Sequence, residues 1–280
     1  MKNLAALLAL HQIDENSYES VEHTENFRMT LFGGQVLGQA LLAASNTVID
    51  RHPHSLHAYF LRAGSSLEPV RYDVEIVRDG GSISSRRVVA SQAGKVIFQM
   101  AASFHATEDG FSHQDRAPDG VAPPSDDDVM QTFRDPHVKR AEDSPYPFFV
   151  VPVGENLINS LERHPPDSMF WIRTARDFDR SPAWQCAALA YASDLGLLAT
   201  ALLPHSASLF QSELTAASID HSMWFHNPNF RVDDWLLVCT HSPWAGNARG
   251  FTSGSVFTRN GVLIASTAQE GLIRPRKAGA

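Results

Sequence analysis

The stretch SPAWQCAALAYASDLGLLATALLP, residues 181–204, decides how the chain is expected to fold. Ser181 suits the N-cap position, because its hydroxyl can accept a hydrogen bond from a free backbone N–H of the first turn. Pro182 suits the first helical position, where its missing N–H costs nothing, and Pro204 ends the helix. The apolar residues between them cover most of the circumference, and such a helix is buried on most sides. The sequence therefore predicts a long core helix.

Asp194 is the one charged residue within this stretch. An unpaired carboxylate in an apolar environment is costly, so Asp194 must have hydrogen-bond partners or a raised pKa. A structural role, in which backbone N–H groups satisfy the carboxylate, and a catalytic role are both compatible with this position.

The composition of the 280-residue chain is typical of a globular protein with a sizeable core. Apolar residues make up 43 % and charged residues 19 %, which argues against disorder and fits one large domain or two of ordinary size. The net charge of −8 argues against nucleic acid as the partner, because phosphate backbones are bound by clustered Lys and Arg.

Location is inferred from the cysteines and from the apolar segments. Cys186 and Cys239 do not make a disulfide framework, so a reduced, cytoplasmic setting is expected. Residues 1–16 lack the cleavage site of a signal peptide and predict a short amphipathic helix. The longest apolar run is interrupted by Asp194, and no stable membrane insertion is expected.

Both halves of the chain predict one helix and several antiparallel strands. In the first half a helix begins at Gly33 and Gly34, and strands are predicted over 17–22, 57–61, 70–78, 84–92 and 95–105. In the second half strands are predicted over 148–152, 169–176, 221–225, 235–241, 248–258 and 262–273. Asn260-Gly261 is a strong hairpin signal between the last two strands.

The two halves also align as an internal repeat. ALLAASN, residues 40–46, aligns with ALAYASD, residues 188–194, and HAYF, residues 57–60, aligns with HSMW, residues 221–224. A curved antiparallel sheet around one apolar helix is the hotdog fold, so the sequence predicts an α+β double hotdog with two such sheets, each wrapped around a long central helix. The predicted parts are an N-terminal hotdog without a catalytic carboxylate (1–106), a polar surface linker (107–146) and a C-terminal hotdog with the catalytic residues (147–280).

The alignment is asymmetric in its polar residues. The alignment pairs Asp194 with Asn46, Ser218 with His54 and Gln269 with Ala102. The second half thus has an acid, a hydroxyl and an amide at these positions, and the first half has no carboxylate there. Duplication followed by loss of one site would produce this pattern. We therefore expect one active site per chain, built from the second half.

Several motifs carry a resemblance to a known family. SIDHSMWFH (218–226), ARGF (248–251) and ASTAQEGLIR (265–274), with FGGQVLGQAL (32–41) and HAYFLRAG (57–64), resemble the type II acyl-CoA thioesterases of bacteria and peroxisomes. The resemblance covers nearly the whole chain in the same order. It implies a double hotdog that hydrolyses acyl-CoA to a free fatty acid and CoA, needs no cofactor beyond the CoA of its substrate, and assembles as a homodimer or homotetramer.

By motif, the catalytic residues of that family fall on Asp194, Ser218 and Gln269. Ser218 stands where bacterial members carry Thr, a small departure because either hydroxyl can donate and accept. A thioester is reactive enough for direct attack by an oriented water, so Asp194 can act as the base while Ser218 and Gln269 fix the approach of the water. No string has the G-x-S-x-G spacing of a nucleophile elbow.

The remaining site predictions rest on single residues. Arginines that could bind the CoA phosphates are Arg62, Arg86, Arg87 and Arg249, and His221 beside Asp220 could support the site. No metal is expected, because the histidines at 52, 54 and 57 fit a turn and strand start and the aspartates at 126–128 fit a solvated loop.

Two other functions stay open. One is a hotdog enoyl-CoA hydratase, which would pair the acid with a catalytic histidine. The other is a non-catalytic acyl-CoA-binding protein, which would bind the substrate tightly without turnover.

Overall fold

The computed structural model describes residues 3–23, 29–125, 147–155, 157, 160–209, 211 and 214–275. Its α-helices in these ranges are α1 (Leu4–Leu8), α2 (Gly33–Ser45), α3 (Pro182–Ser193) and α4 (Leu197–Thr200), and a short 3₁₀ helix spans Leu203–His205. The strands of the first half are β1 (Leu10–Asp14), β2 (Ser17–Ser20), β3 (His52–Phe60), β4 (Arg71–Asp79), β5 (Ile83–Gln92) and β6 (Lys95–His105). Those of the second half are β7 (Phe148–Pro152), β8 (Asp167–Thr174), β9 (Leu214–Ser218), β10 (Asp220–Phe225), β11 (Leu236–Gly246), β12 (Arg249–Thr258) and β13 (Leu263–Pro275).

The strands form one continuous antiparallel sheet. Its order is β1-β2-β4-β5-β6-β3-β10-β13-β12-β11-β8-β7, and β9 pairs with the far end of β13. The halves meet where β3 pairs with β10, with His57 opposite Ser222. The predicted α+β double hotdog is therefore confirmed, with its two sheets joined edge to edge.

The two long helices lie together inside this sheet and form the core. Nearly every residue of α2 and α3 is buried. Gly34 and Gly38 lie one turn apart on one face of α2 and allow the close approach, because a Cβ atom at Gly34 would lie 2.2 Å from the carbonyl oxygen of Tyr191. At Gly38 a Cβ would lie 2.7 Å from the carbonyl oxygen of Ala187.

The predicted helix over residues 181–204 is broken, which corrects the sequence prediction. Helix α3 ends at Ser193, Asp194 is its C-cap, and Gly196 has a φ of 88°. This left-handed conformation, which glycine adopts readily, turns the chain before α4. Pro182 lies in the first turn as predicted, whereas Ser181 occupies the N-cap position without a side-chain capping bond.

The apolar stretch Pro182–His205 could cross a membrane by length and composition alone. However, 72 % of its apolar window is buried inside the protein, as in the core helix of a soluble domain.

Two strands of the structure, β1 and β9, were not predicted from the sequence. The helix expected over residues 1–16 is only α1, and Leu10–Asp14 is instead the edge strand β1, paired with β2. Strand β9 carries little apolar alternation and is held by its pairing with β13. Pairing with another strand decides both structures: β1 forms a hairpin with β2, which follows it directly, and β9 pairs with the distant β13. Strand propensity depends strongly on such context.

The described part of the connection between the halves packs on the outer face of the second half. Ala117 and Val121 contact an apolar cluster that includes Trp171 and Trp235. Gln114 donates from Nε2 to the carbonyl oxygen of Gly261 at 2.8 Å. The acidic run 126–128 and the short helix expected near 129–133 lie outside the described residues.

Candidate active site

Asp194 lies where the end of α3 meets the beginning of α2. Its carboxylate accepts a hydrogen bond from the backbone N–H of Gly34, and a Cβ atom at Gly33 would lie 2.7 Å from its Oδ2 atom. The first half therefore supplies the N-terminus of α2 to a carboxylate from the second half. The positive end of the helix dipole favours an anion at this position.

Ser218 and Gln269 both reach the same carboxylate oxygen. Ser218 ends β9 and donates from Oγ to Oδ1 of Asp194 at 3.2 Å. Gln269 lies on β13 and donates from Nε2 to that oxygen at 2.9 Å and to Oγ of Ser218. The three residues predicted to be catalytic are thus in direct contact.

A β-bulge between β9 and β10 aims Ser218 at this point. Ser218 is opposite Gly271 and Ser222 is opposite Ala268, so residues 219–221 oppose only 269 and 270. The side chain of Asp220 accepts the backbone N–H of Glu270 at 2.8 Å in place of a strand carbonyl. Side chains alternate between faces in a regular strand, and the extra residue brings 218 and 221 to the same face.

The pKa of Asp194 is raised to about 6, chiefly because burial disfavours the charged form. Hydrogen bonds from Gln269, Ser218 and the Gly34 N–H oppose this rise. The residue as a whole is neither fully buried nor exposed. A carboxylate with this pKa is ionised at neutral pH and basic enough to accept a proton.

His221 lies behind Gln269 and is completely buried. Its Nε2 is 2.9 Å from Oγ of Ser193. Burial lowers its pKa to about 4, and the neighbouring side-chain amide of Gln269 opposes that change. The imidazole is therefore neutral at physiological pH and is not in contact with bulk solvent.

The equivalent region of the first half has no such site. Asn46 is exposed at the C-cap of α2. In the ladders, Ala102 is flanked by Leu56 and Arg86. Gln269 is opposite Thr252, and its other neighbour is the imidazole of His221.

The strand pairing shifts the proposed alignment of residues 57–60 with residues 221–224 by one residue. His57, which the alignment pairs with His221, is exposed. Leu56 is the buried counterpart of His221, because it stands opposite Ala102 as His221 neighbours Gln269.

The predicted phosphate-binding arginines lie in different environments. Arg86 is buried, and its five N–H donors contact Thr47, the carbonyl oxygens of Arg78 and Ser85, and Asp79. It has no donor left for a phosphate in this structure.

The other three arginines are more accessible. Arg87 pairs with Glu75 at 2.8 Å, and Arg249 pairs with Glu270 at 3.2 Å beside the ring of Trp244. Arg62 is exposed and donates to the carbonyl oxygen of Val96 at 2.6 Å. Their role in substrate binding stays a prediction.

Metal binding requires a group of ligating side chains, and thiol catalysis requires a cysteine that ionises readily. Among the described residues, no group of three or more His, Cys, Asp or Glu side chains could hold a metal ion. Cys186 is buried in α3, and burial raises the pKa of its thiol to about 12, which makes it a poor nucleophile.

Sequence reasoning missed two contributors to the site. The N–H of Gly34 comes from the other half of the chain, and the glycine pair at 33 and 34 was the signal, because a close backbone approach requires glycine. Ser193 directly precedes Asp194, but nothing in the sequence joins it to His221.

Comparison with known proteins supports one family. A family model described as acyl-CoA thioesterase matches residues 161–272, and one described as acyl-CoA thioesterase N-terminal domain matches residues 22–105. Acyl-coenzyme A thioesterase 8 of Mus musculus is 40 % identical over 288 residues, covering 97 % of this chain and 88 % of the relative. Acyl-CoA thioesterase 2 of Haemophilus influenzae is 38 % identical, covering 98 % of each. The crystal structure of the acyl-CoA thioesterase II TesB2 from Mycobacterium marinum superposes with a TM-score of 0.79 at 37 % identity, covering 99 % of this chain and 98 % of that one.

Proposed function

This chain belongs to the acyl-CoA thioesterase family, a family of hydrolases, and from that premise we propose that it hydrolyses fatty acyl-CoA by direct attack of a water held by Asp194, Ser218 and Gln269. The observation that carries the proposal is the convergence of these side chains on one carboxylate oxygen, Oδ1 of Asp194. They come from α3, β9 and β13, which are separate in the sequence.

In the proposed reaction Asp194 removes a proton from water as the water oxygen attacks the thioester carbonyl carbon. The tetrahedral intermediate collapses by breaking the C–S bond, and CoA leaves as a thiolate that takes up a proton. The products are a fatty acid and CoA. Ser218 and Gln269 are neutral, and their protons fix the carboxylate, so they orient the water through Asp194 without adding charge. The reaction requires no metal and no cofactor.

The hydratase alternative is less well supported by the contacts of Asp194. A hydratase of this fold would be expected to pair its acid with a histidine, and the partners of Asp194 are Ser218, Gln269 and Gly34. His221 is separated from the carboxylate by Gln269, and its low pKa makes it a poor proton donor near neutral pH. A non-catalytic binding role would not require three polar side chains to meet at a basic carboxylate.

The proposed function is tested by thiol release from acyl-CoAs of graded chain length, followed with a thiol reagent. We expect release of one CoA thiol per fatty acid formed, with turnover that varies with chain length. Hydration of an enoyl-CoA without thiol release would instead support the hydratase. Tight acyl-CoA binding with no turnover of any chain length would support the binding protein.

We also propose the division into two hotdogs, residues 1–106 and 147–280, joined by the connection 107–146, and assembly as a homodimer or homotetramer in the cytoplasm. The two family models support this division, since one ends at residue 105 and the other begins at residue 161. Sheet edges at β1 and β7 are compatible with pairing between copies.

A further inference from the structure

Three buried polar atoms without a hydrogen-bond partner lie next to one another beside the catalytic carboxylate. In the described part of the chain such atoms are Nδ1 of His221, Oε1 of Gln269, Oγ1 of Thr252 and Nε1 of Trp171. A buried polar group without a partner costs free energy. Three of these four belong to residues around Gln269, so the arrangement there calls for a physical explanation.

These three residues form a row across adjacent strands. Thr252 on β12 is directly opposite Gln269 on β13. His221 on β10 lies on the other side, directly before the pair Ser222–Ala268, and its imidazole neighbours the side-chain amide of Gln269. All three are at most 2 % exposed. Opposite side chains of an antiparallel pair lie roughly 4.5–5.5 Å apart at Cβ, so both neighbours can reach the Gln269 amide.

The contacts already made leave one role for the amide oxygen of Gln269. Its Nε2 atom donates to Asp194 and to Ser218, so both amide protons face the catalytic side. The Oε1 atom consequently points back toward His221 and Thr252 and needs donors there. Reversing the amide would place Oε1 beside the carboxylate of Asp194, where two acceptors would repel each other.

We propose that His221 is a positioning residue, whose Nδ1–H donates to Oε1 of Gln269 and thereby holds both amide protons on Asp194 and Ser218. Oγ of Ser193 is 2.9 Å from Nε2 of His221 and 2.8 Å from the carbonyl oxygen of Ala190, and its single proton can go to only one of them. With the imidazole proton held on Nδ1 by Oε1 of Gln269, Nε2 is an acceptor and takes the Ser193 proton in place of the Ala190 carbonyl. The hydroxyl of Thr252 supplies the second donor to Oε1. The tautomer of a buried imidazole thus selects the orientation of the amide that faces the reaction.

This row is specific to the half that carries the candidate active site. In the first half the corresponding positions are Leu56, Ala102 and Arg86, which offer no amide to orient. The catalytic significance of His221 rests on the proposed hydrolysis, whereas its tautomer does not, and the two can fail separately.

The tautomer is measured directly by ¹⁵N NMR of histidine-labelled wild-type protein at pH 7.5, where long-range ¹H–¹⁵N correlations distinguish a protonated Nδ1 from a protonated Nε2. The chain has 13 histidines, and the signal of His221 is identified by its loss in His221→Asn. A protonated Nδ1 is the expected result. A protonated Nε2 would overturn the proposal, whether or not the protein releases thiol from acyl-CoA.

Two matched amide variants test the effect on catalysis. His221→Asn places an N–H donor near the position of Nδ1, whereas His221→Gln places its amide near the position of Nε2. We expect His221→Gln to lower kcat roughly 10- to 100-fold with little change in KM, since a small misplacement of a catalytic group has effects of this size. His221→Asn should retain most of the activity, and equal kcat values for the two variants would contradict the proposal.

A double-mutant cycle separates positioning from a purely structural role. If His221 acts through Gln269, His221→Gln should cause no further loss of kcat in a Gln269→Ala background. A structural role would lower kcat by the same factor in both backgrounds.

Discussion

Asp194→Asn is expected to lower kcat for acyl-CoA hydrolysis about 1,000-fold, because a general base typically contributes roughly 10²- to 10⁴-fold. The asparagine keeps the shape of the side chain and an oxygen for Ser218 and Gln269 but cannot take a proton from water. KM should change little, since the residue acts on the water and not on the CoA group. Thiol release at saturating substrate measures the effect.

The same variant is expected to unfold within a few degrees of the wild type in a thermal melt. Removal of a partly buried charge favours the folded state, while the new amide nitrogen would face the Gly34 N–H and oppose that gain. Asn46→Ala is the matched control, because Asn46 is the C-cap of α2 as Asp194 is the C-cap of α3. This control should keep full activity, and a fully active Asp194→Asn would remove Asp194 from the mechanism.

Gly34→Ala is expected to destabilise the protein by roughly 3 kcal/mol, the upper part of the range for overpacking a core. The added Cβ would lie 2.2 Å from the backbone carbonyl oxygen of Tyr191, and a backbone atom cannot turn away as a side chain can. Helices α2 and α3 must therefore separate. The thermal midpoint should fall by about 5–10 °C for a chain of this size.

Activity should fall together with stability in Gly34→Ala, because the N–H of Gly34 binds the carboxylate of Asp194. Gly81→Ala is the matched control, since a Cβ there meets nothing within 4 Å and Gly81 does not need a left-handed conformation. This control should leave both the melt and the thiol release unchanged. Equal melting temperatures for the two variants would show that α2 and α3 are not in close contact at Gly34.

The sequence predicts the fold well where a pattern is both local and long. Helix α2 begins at Gly33 as expected, because a glycine pair followed by broad apolar faces marks its start. Strand β6 has its predicted bounds, Lys95–His105. The convergence of Asp194, Ser218 and Gln269 could be predicted from the motifs that resemble a family, together with the asymmetry of the internal repeat.

The remaining features depend on contacts between distant residues. The break of α3 at Asp194 is not apparent, because a single glycine such as Gly196 is tolerated within helices. The bulge at Ile219 and Asp220 has no turn signal, since it exists only relative to β13. Arg86 looks like any arginine of an alternating strand. Only the fold shows that it binds Thr47, just beyond the end of α2.

The central claim is that a carboxylate of raised pKa removes a proton from the attacking water, and the pH dependence of kcat/KM tests it most directly. The pKa of Asp194 is raised to about 6 by burial, and a base is active only when deprotonated. Thiol release should therefore be constant at neutral pH and fall about tenfold per pH unit below about 6. His221, with a pKa near 4, cannot cause this loss, and the residual activity of Asp194→Asn should lack it. A wild-type kcat/KM that stays constant down to pH 5 would contradict the account.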